Sequence, residues 1–191
     1  MINVSRKPVF IVICACQFLV IMLLIFMYFS TVEWNDHIYR FRCKSEQPFR
    51  YHSKRYVTLQ LDIQTFPREM YTGETNLTKG MVVYCTFRDV HGYHRIASIS
   101  TKRPHPHEPF MKTRISNVYE DSYKLEINFS RYPLYSDRLK HDSVHKLQRK
   151  IVDEGKVVIL DARISKRGTA YAKKLYVGDL HIEDYAYKKV W

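Results

Sequence analysis

Three patterns of polar and apolar positions follow one another along the chain. Val9 to Phe29 is an unbroken apolar run, with no charged side chain and Gln17 as its only strongly polar member. Wound as a helix it spans about 31 Å, the thickness of a bilayer's hydrocarbon core. Period-two alternation then dominates and predicts strands. Val57, Leu59, Leu61 and Ile63 alternate with Thr58, Gln60 and Asp62; Tyr123, Leu125, Ile127 and Phe129 alternate with Lys124, Glu126 and Asn128. Tyr39, Phe41 and Cys43 predict a shorter first strand. Met81–Phe87 and Val157–Ile164 read as strands buried on both faces. Ile96–Ile99, Ala170–Leu175 and Tyr176–Ile182 add three more, with turns at His91-Gly92 and Arg167-Gly168. The third pattern is helical. Between Asp137 and Glu154, Val144, Leu147 and Ile151 are spaced by three and four. Ser136 or Asp137 can cap the start of this helix and Gly155 its end.

The alternating part also repeats itself. Val57, Leu59, Leu61, Ile63, Phe66 and Pro67 recur at one constant offset as Tyr123, Leu125, Ile127, Phe129, Tyr132 and Pro133. Gly80, Val82, Val83 and Arg88 recur at a second, larger offset as Gly155, Val157, Val158 and Arg163. The second copy holds the helix, which accounts for the wider spacing. Alternating strands resemble one another by construction, so chance similarity and duplication over 55–100 and 121–182 both stay open.

The expected fold is one N-terminal transmembrane helix followed by a β-rich α+β domain, mostly antiparallel, with one amphipathic helix. A cleaved signal peptide fits the first segment less well, because Phe26-Met27-Tyr28-Phe29-Ser30-Thr31 lacks a small-residue cleavage pattern. A lipoprotein signal ending at Cys16 leaves too few apolar residues before it. Arg6, Lys7 and the terminal amine flank the run closely, whereas Glu33 and Asp36 come first on the far side. That asymmetry places residues 1–8 in the cytoplasm, 9–29 in the membrane and 32–191 outside the cytoplasm.

Charge narrows the partners. The net charge is +12, and +10 of it follows the apolar run. A field of this sign attracts phosphate-rich or acidic partners: lipid headgroups, acidic glycans or nucleic acid. Basic and aromatic residues interleave around Arg40, Arg42, Arg50, Lys54, Arg55, Lys188 and Lys189. On a sheet face these seven suit anionic headgroups, and they also suit stacking on single-stranded nucleic acid. A membrane anchor disfavours the second. The plainest reading is a solvated basic surface over an aromatic core.

Candidate chemistry is sparse. His141 and His145 lie four apart on the predicted helix, a spacing that can put two imidazoles on one zinc. The pattern is not His-Glu-x-x-His, since Asp142 and Ser143 follow His141. Ser53-Lys54 and Ser165-Lys166 are neighbours, but neighbours on a strand point to opposite faces. There is no Gly-x-Ser-x-Gly, no glycine-rich phosphate loop and no pattern for a cofactor. Glu183 and Asp184 read as a solvated turn. Cys14 and Cys16 lie in the apolar run; Cys43 and Cys85 lie in strands and could pair across a sheet or remain buried thiols.

The order of features resembles the bacterial GDYXXLXY family, named for a strand motif soon after an N-terminal membrane segment. Lys54-Arg55-Tyr56-Val57-Thr58-Leu59-Gln60-Leu61 occupies that place. Tyr56 and Leu59 match, Lys54 and Arg55 stand for the glycine and aspartate, and Leu61 for the final tyrosine. Pro48-Phe49-Arg50 upstream and Phe129-Ser130-Arg131-Tyr132 downstream are similar to family elements, as is the closing Leu175–Ile182 segment. The resemblance implies a periplasmic β-rich domain on one anchor, with an integral-membrane protein partner and no catalytic residues. Tyr56, Leu59, Leu61, Arg131 and Tyr132 would then be structural.

The functional expectation is a non-enzymatic accessory protein in the cytoplasmic membrane, contacting a membrane protein, headgroups or cell-wall material. An extracytoplasmic Ser-Lys or metal hydrolase and a nucleic-acid-binding domain are the alternatives.

Overall fold

In the computed structural model, residues 6–31, 34–53, 56–71, 73, 76–105, 108–134 and 141–189 are described. The chain divides into a helical unit ending at Trp34 and a domain formed by Asn35–Trp191. The helical unit is α1, Arg6–Thr31. Its central 18 residues, Phe10–Met27, are apolar on every side and none is buried. A helix that is hydrophobic all round has no polar face to give to water, and this one is long enough to cross a bilayer.

The domain is β-rich. In chain order its elements are β1 (Trp34–Arg42), β2 (Phe49–Ser53), β3 (Tyr56–Leu59), β4 (Thr65–Pro67), β5 (Val82–Val90), β6 (Tyr93–Ser100), β7 (Phe110–Val118), β8 (Ser122–Leu125), β9 (Arg131–Pro133), α2 (His141–Asp153), β10 (Val158–Ser165), β11 (Ala170–Val177), β12 (Leu180–His181) and α3 (Ile182–Lys189). The strands form three sheets, ordered β1-β10-β11-β12, β2-β3-β9 and β4-β8-β7-β5-β6. One continuous core joins them, with Phe41, Phe49, Leu59, Leu61, Leu160, Ile164 and Leu175 fully buried.

The α2 stripe packs as its spacing predicts: Val144, Leu147 and Ile151 are each 1% exposed. Gly155 ends the helix at φ +61°, the left-handed conformation that suits glycine, and its N–H donates to Val152 O. The cap expected at Ser136 or Asp137 lies outside the described residues.

The structure departs from the sequence pattern in several elements. The run from Val57 to Ile63 is a strand only to Leu59, then a tight turn over Asp62–Gln64. The run from Tyr123 to Phe129 likewise becomes a turn at Asn128–Ser130. The strand expected over Tyr176–Ile182 breaks at Gly178, and Glu183 and Asp184 open α3 instead of a solvated turn. Carboxylates in a first turn favour a helix start. Finally, β7 is a strand that the alternation did not reveal, and it lies in the middle of the five-stranded sheet.

Both halves of the domain are built alike. The offset that carries Val57 onto Tyr123 also carries β3, the Asp62–Gln64 turn and β4 onto β8, the Asn128–Ser130 turn and β9, end for end. The pairing is reciprocal. Val57 faces Tyr132 and Thr58 faces Arg131, while Tyr123 faces Phe66 and Lys124 faces Thr65. Each half therefore lends a strand to the other.

The hairpins match as well. In β5–β6 the register slips between Thr86 and Phe87, and in β10–β11 it slips at the corresponding step, between Asp161 and Ala162. Even the first strands exchange. Thr113 of β7 faces Val83, whereas Cys43 after β1 donates its N–H to Val158 O at 2.9 Å. The arrangement is a pseudo-twofold swap, so the two halves bury their apolar faces against each other.

Candidate functional site

A cleft of about 530 Å³ opens where β1 ends beside the β5–β6 hairpin. Arg42 ends β1 and Lys44 lies two residues beyond it, and Asp62 and Ile63 come from the first tight turn. Thr65, Phe66 and Pro67 come from β4, Met70 from the turn after it, and Arg88, Tyr93, His94, Arg95 and Ile96 from the hairpin. Ile63, Phe66 and Ile96 are buried and make an apolar floor.

Aromatic packing holds the two walls together. The Phe41 ring meets Phe87 at 5.2 Å between centroids, and Tyr39 meets His94 at 4.9 Å. The Arg40 N–H donates to His94 Nδ1 at 3.1 Å. Burial pushes the His94 pKa below the ordinary imidazole value, against the opposing charge of Asp89 and with smaller help from the charges of His37 and Arg40. A neutral ring is the form whose Nδ1 can accept this bond.

The electrostatics of the cleft are one-sided. Among the described lining residues, four side chains are permanent cations (Arg42, Lys44, Arg88, Arg95) and Asp62 is the single carboxylate. Burial raises the Asp62 pKa, while Arg42, Arg95 and Lys44 pull it back. None of the four cations forms an ion pair among the described residues. Arg42 donates from Nη2 to Ser45 Oγ at 3.0 Å, and its Nε is buried without a hydrogen-bond partner among the described residues. Like charges gathered in a concavity with apolar walls raise its positive potential and draw an anion in.

The symmetry supplies a built-in comparison. A second cleft of about 340 Å³ lies at the matching place in the other half, lined by Lys112, Thr113, Arg114, Glu126, Asn128, Phe129, Thr169 and Ala170 among others. Its two cations are set against Glu126, so the charge of its described lining is +1, against +3 for that of the first cleft. Asn128 stands where the first cleft has Asp62, and Ala170 falls where its hairpin has His94. Excess charge is thus a property of one cleft and not of the architecture.

The residues singled out by sequence are scattered. Arg42 lines the cleft. Arg40 is next to it, with Nε 3.6 Å from the buried Asp161 carboxylate. Arg50 lines a neighbouring depression that shares Lys44 and Asp62 with the cleft, and it donates to Gln47 Oε1 at 2.9 Å. Lys54 and Arg55 lie outside the described residues. Lys188 and Lys189 sit on α3, a helix and not a sheet face; Lys189 Nζ lies 3.6 Å from Glu154 Oε1. Tyr185 Oη also donates to Glu154, at 3.0 Å, which ties α3 to the end of α2.

Of the motif residues, Leu59 and Leu61 are fully buried and Tyr132 is nearly so, while Tyr56 and Arg131 are exposed. Cys43 and Cys85 are buried free thiols, not a disulfide. Burial raises both pKa values, that of Cys85 to about 12. Among the described residues no three His, Cys, Asp or Glu side chains gather as a metal site. His145 is exposed on α2, and the His141 side chain lies outside the described residues. Ser165 is buried in the β10–β11 turn, where its Oγ accepts the Thr169 N–H at 3.1 Å.

Lys44, Asp62, Arg88 and Arg95 were not singled out as site residues by sequence. The repeat carried a signal, since Asp62 and Asn128 are corresponding positions that differ in charge.

No family model, curated protein or solved structure matches the chain.

Proposed function

We propose that the protein is a non-enzymatic accessory protein. α1 tethers it to the cytoplasmic membrane, and the β-rich domain lies outside the cytoplasm and engages an acidic group of a membrane neighbour. The GDYXXLXY resemblance belongs to the same reading. The observation that carries it is the cleft with four cations around one carboxylate, none of them ion-paired among the described residues, next to a matching cleft without that excess. Two features support the tether: α1 has no polar face, and its N-terminal flank carries Arg6 and Lys7. The Ser165 hydroxyl is engaged with its own turn, which does not favour a Ser-Lys hydrolase.

Crosslinking in intact membranes tests this. A photoreactive amino acid at Tyr93, in the cleft, should give a light-dependent adduct with a membrane-resident neighbour. The same group at Arg149, on the exposed side of α2, should not. Equal labelling from both positions, or none from Tyr93, contradicts the proposal.

A further inference from the structure

The cleft's lining also specifies a chemical class. We infer that it binds a phosphate monoester whose alcohol part is apolar, the phosphate among Arg42, Arg88 and Arg95 and the hydrocarbon against Phe66 and Ile96.

Three observations lead there. First, three of the four cations are guanidinium groups, whose planar fork matches phosphate oxygens two at a time. The net +3 of the described lining also exceeds what a single carboxylate would neutralise, and suits a dianion. Second, the Arg42 Nε is buried with no partner among the described residues. A buried donor without an acceptor carries a desolvation cost, and an anionic oxygen in the cleft would remove it. Third, Ile63, Phe66 and Ile96 give the same cleft an apolar floor, so a bare ion would leave much of it unfilled. A volume of about 530 Å³ accommodates both parts of such a molecule. The Asp62 carboxylate can accept a hydrogen bond from the P–OH of a singly ionised phosphate or from a hydroxyl on the alcohol.

The assignment deepens the proposed function and rests on it only for where the ester comes from. The chemistry is shared by a soluble ester and by the headgroup of an anionic lipid such as a phosphatidic acid. Binding is therefore measured on the full chain in uncharged detergent micelles, by calorimetry, with butyl phosphate, inorganic phosphate and butanol as probes. Butyl phosphate should saturate a single site, about tenfold or more tighter than inorganic phosphate, and butanol should give no isotherm. The Arg88→Gln/Arg95→Gln variant should lose about tenfold or more, because both side chains are exposed and their loss leaves the core intact. Arg88→Lys/Arg95→Lys should recover part of the affinity. Lys112→Gln/Arg114→Gln, in the matching cleft, should leave it within about twofold.

Repeating the titration in nanodiscs separates the sources. If phosphatidic acid in the disc abolishes butyl phosphate binding, the headgroup is the ligand; if binding persists, a soluble ester is. Absence of a saturable isotherm, equal affinity for phosphate and butyl phosphate, or indifference to the Arg88/Arg95 change would overturn the assignment. A failed titration with a positive crosslink at Tyr93 removes the phosphate ester and leaves the tethered-partner reading. The reverse pair of results does the opposite.

Discussion

Asp62 and Asn128 open the same turn in the two halves of the domain, each turn leading directly into a strand that pairs with the other half. They differ as a carboxylate differs from a carboxamide. Around Asp62 lie Arg42, Lys44, Arg88 and Arg95; around Asn128 lie Lys112, Arg114 and Glu126. A swapped, symmetric frame needs neither set, since its stability comes from the reciprocal burial of Val57, Phe66, Tyr123 and Tyr132. The difference between the halves therefore belongs to the clefts.

Asp62→Asn should change how stability depends on pH. Burial raises the carboxyl's folded-state pKa. The folded chain then binds more protons than the unfolded one, and stability falls as pH climbs from about 4 through the folded-state value. The variant lacks this fall. Denaturant midpoints in detergent should favour it more at pH 7 than at pH 4, and an equal difference at both would contradict the assignment.

His94 should behave with the opposite sign. Its folded pKa lies below the ordinary 6.5, so the folded chain sheds the proton first and stability rises with pH up to that value. Protonation also removes the acceptor for the Arg40 N–H. The His94 ring resonance should titrate with a midpoint below 6.5. His94→Asn, which keeps an acceptor but does not titrate, should flatten this part of the profile. A midpoint at or above the ordinary value contradicts the geometry.

Much of the frame was legible because burial writes itself into alternation and stripes. Phe41, Leu59, Leu125 and Leu147 announced their elements. β7 stayed hidden because polar Thr113 occupies an inward position, its hydroxyl donating to Glu126 O. α3 stayed hidden because its buried set, Ile182, Tyr185 and Ala186, marks only two turns. That three-and-four spacing was nonetheless a signal. The cleft was barely legible. Its cations come from β1, the following bend and the two arms of a hairpin, and only tertiary pairing brings them together. Arg42 alone was singled out as a contact residue, and for a face that includes Lys188 and Lys189, which belong to α3.

Phe66 and Tyr123 form a cross-strand pair at the seam between the halves, ring centroids 5.4 Å apart. Phe66 is 2% exposed and Tyr123 4%. Phe66→Ala should cost about 3–5 kcal/mol, as for other large aromatic truncations in cores. Combining it with Tyr123→Ala should cost less than the two separately, because they share one contact. Full additivity in the denaturant-unfolding series would show the seam is not the joint described.

The thiols give a direct readout of the core. In a Cys14→Ala/Cys16→Ala background, Cys43 and Cys85 should ignore a thiol reagent in the folded chain at pH 8. Both are buried and hold their protons. On unfolding without reductant both should react. Release of none would mean that they are bonded to each other.

The side of the membrane on which the domain lies decides the proposed function. Protease added to sealed, right-side-out vesicles should digest residues 35–191 without permeabilisation and leave a membrane-embedded N-terminal fragment containing α1. A domain that survives until detergent opens the vesicles, or a chain recovered in the soluble fraction, would contradict it.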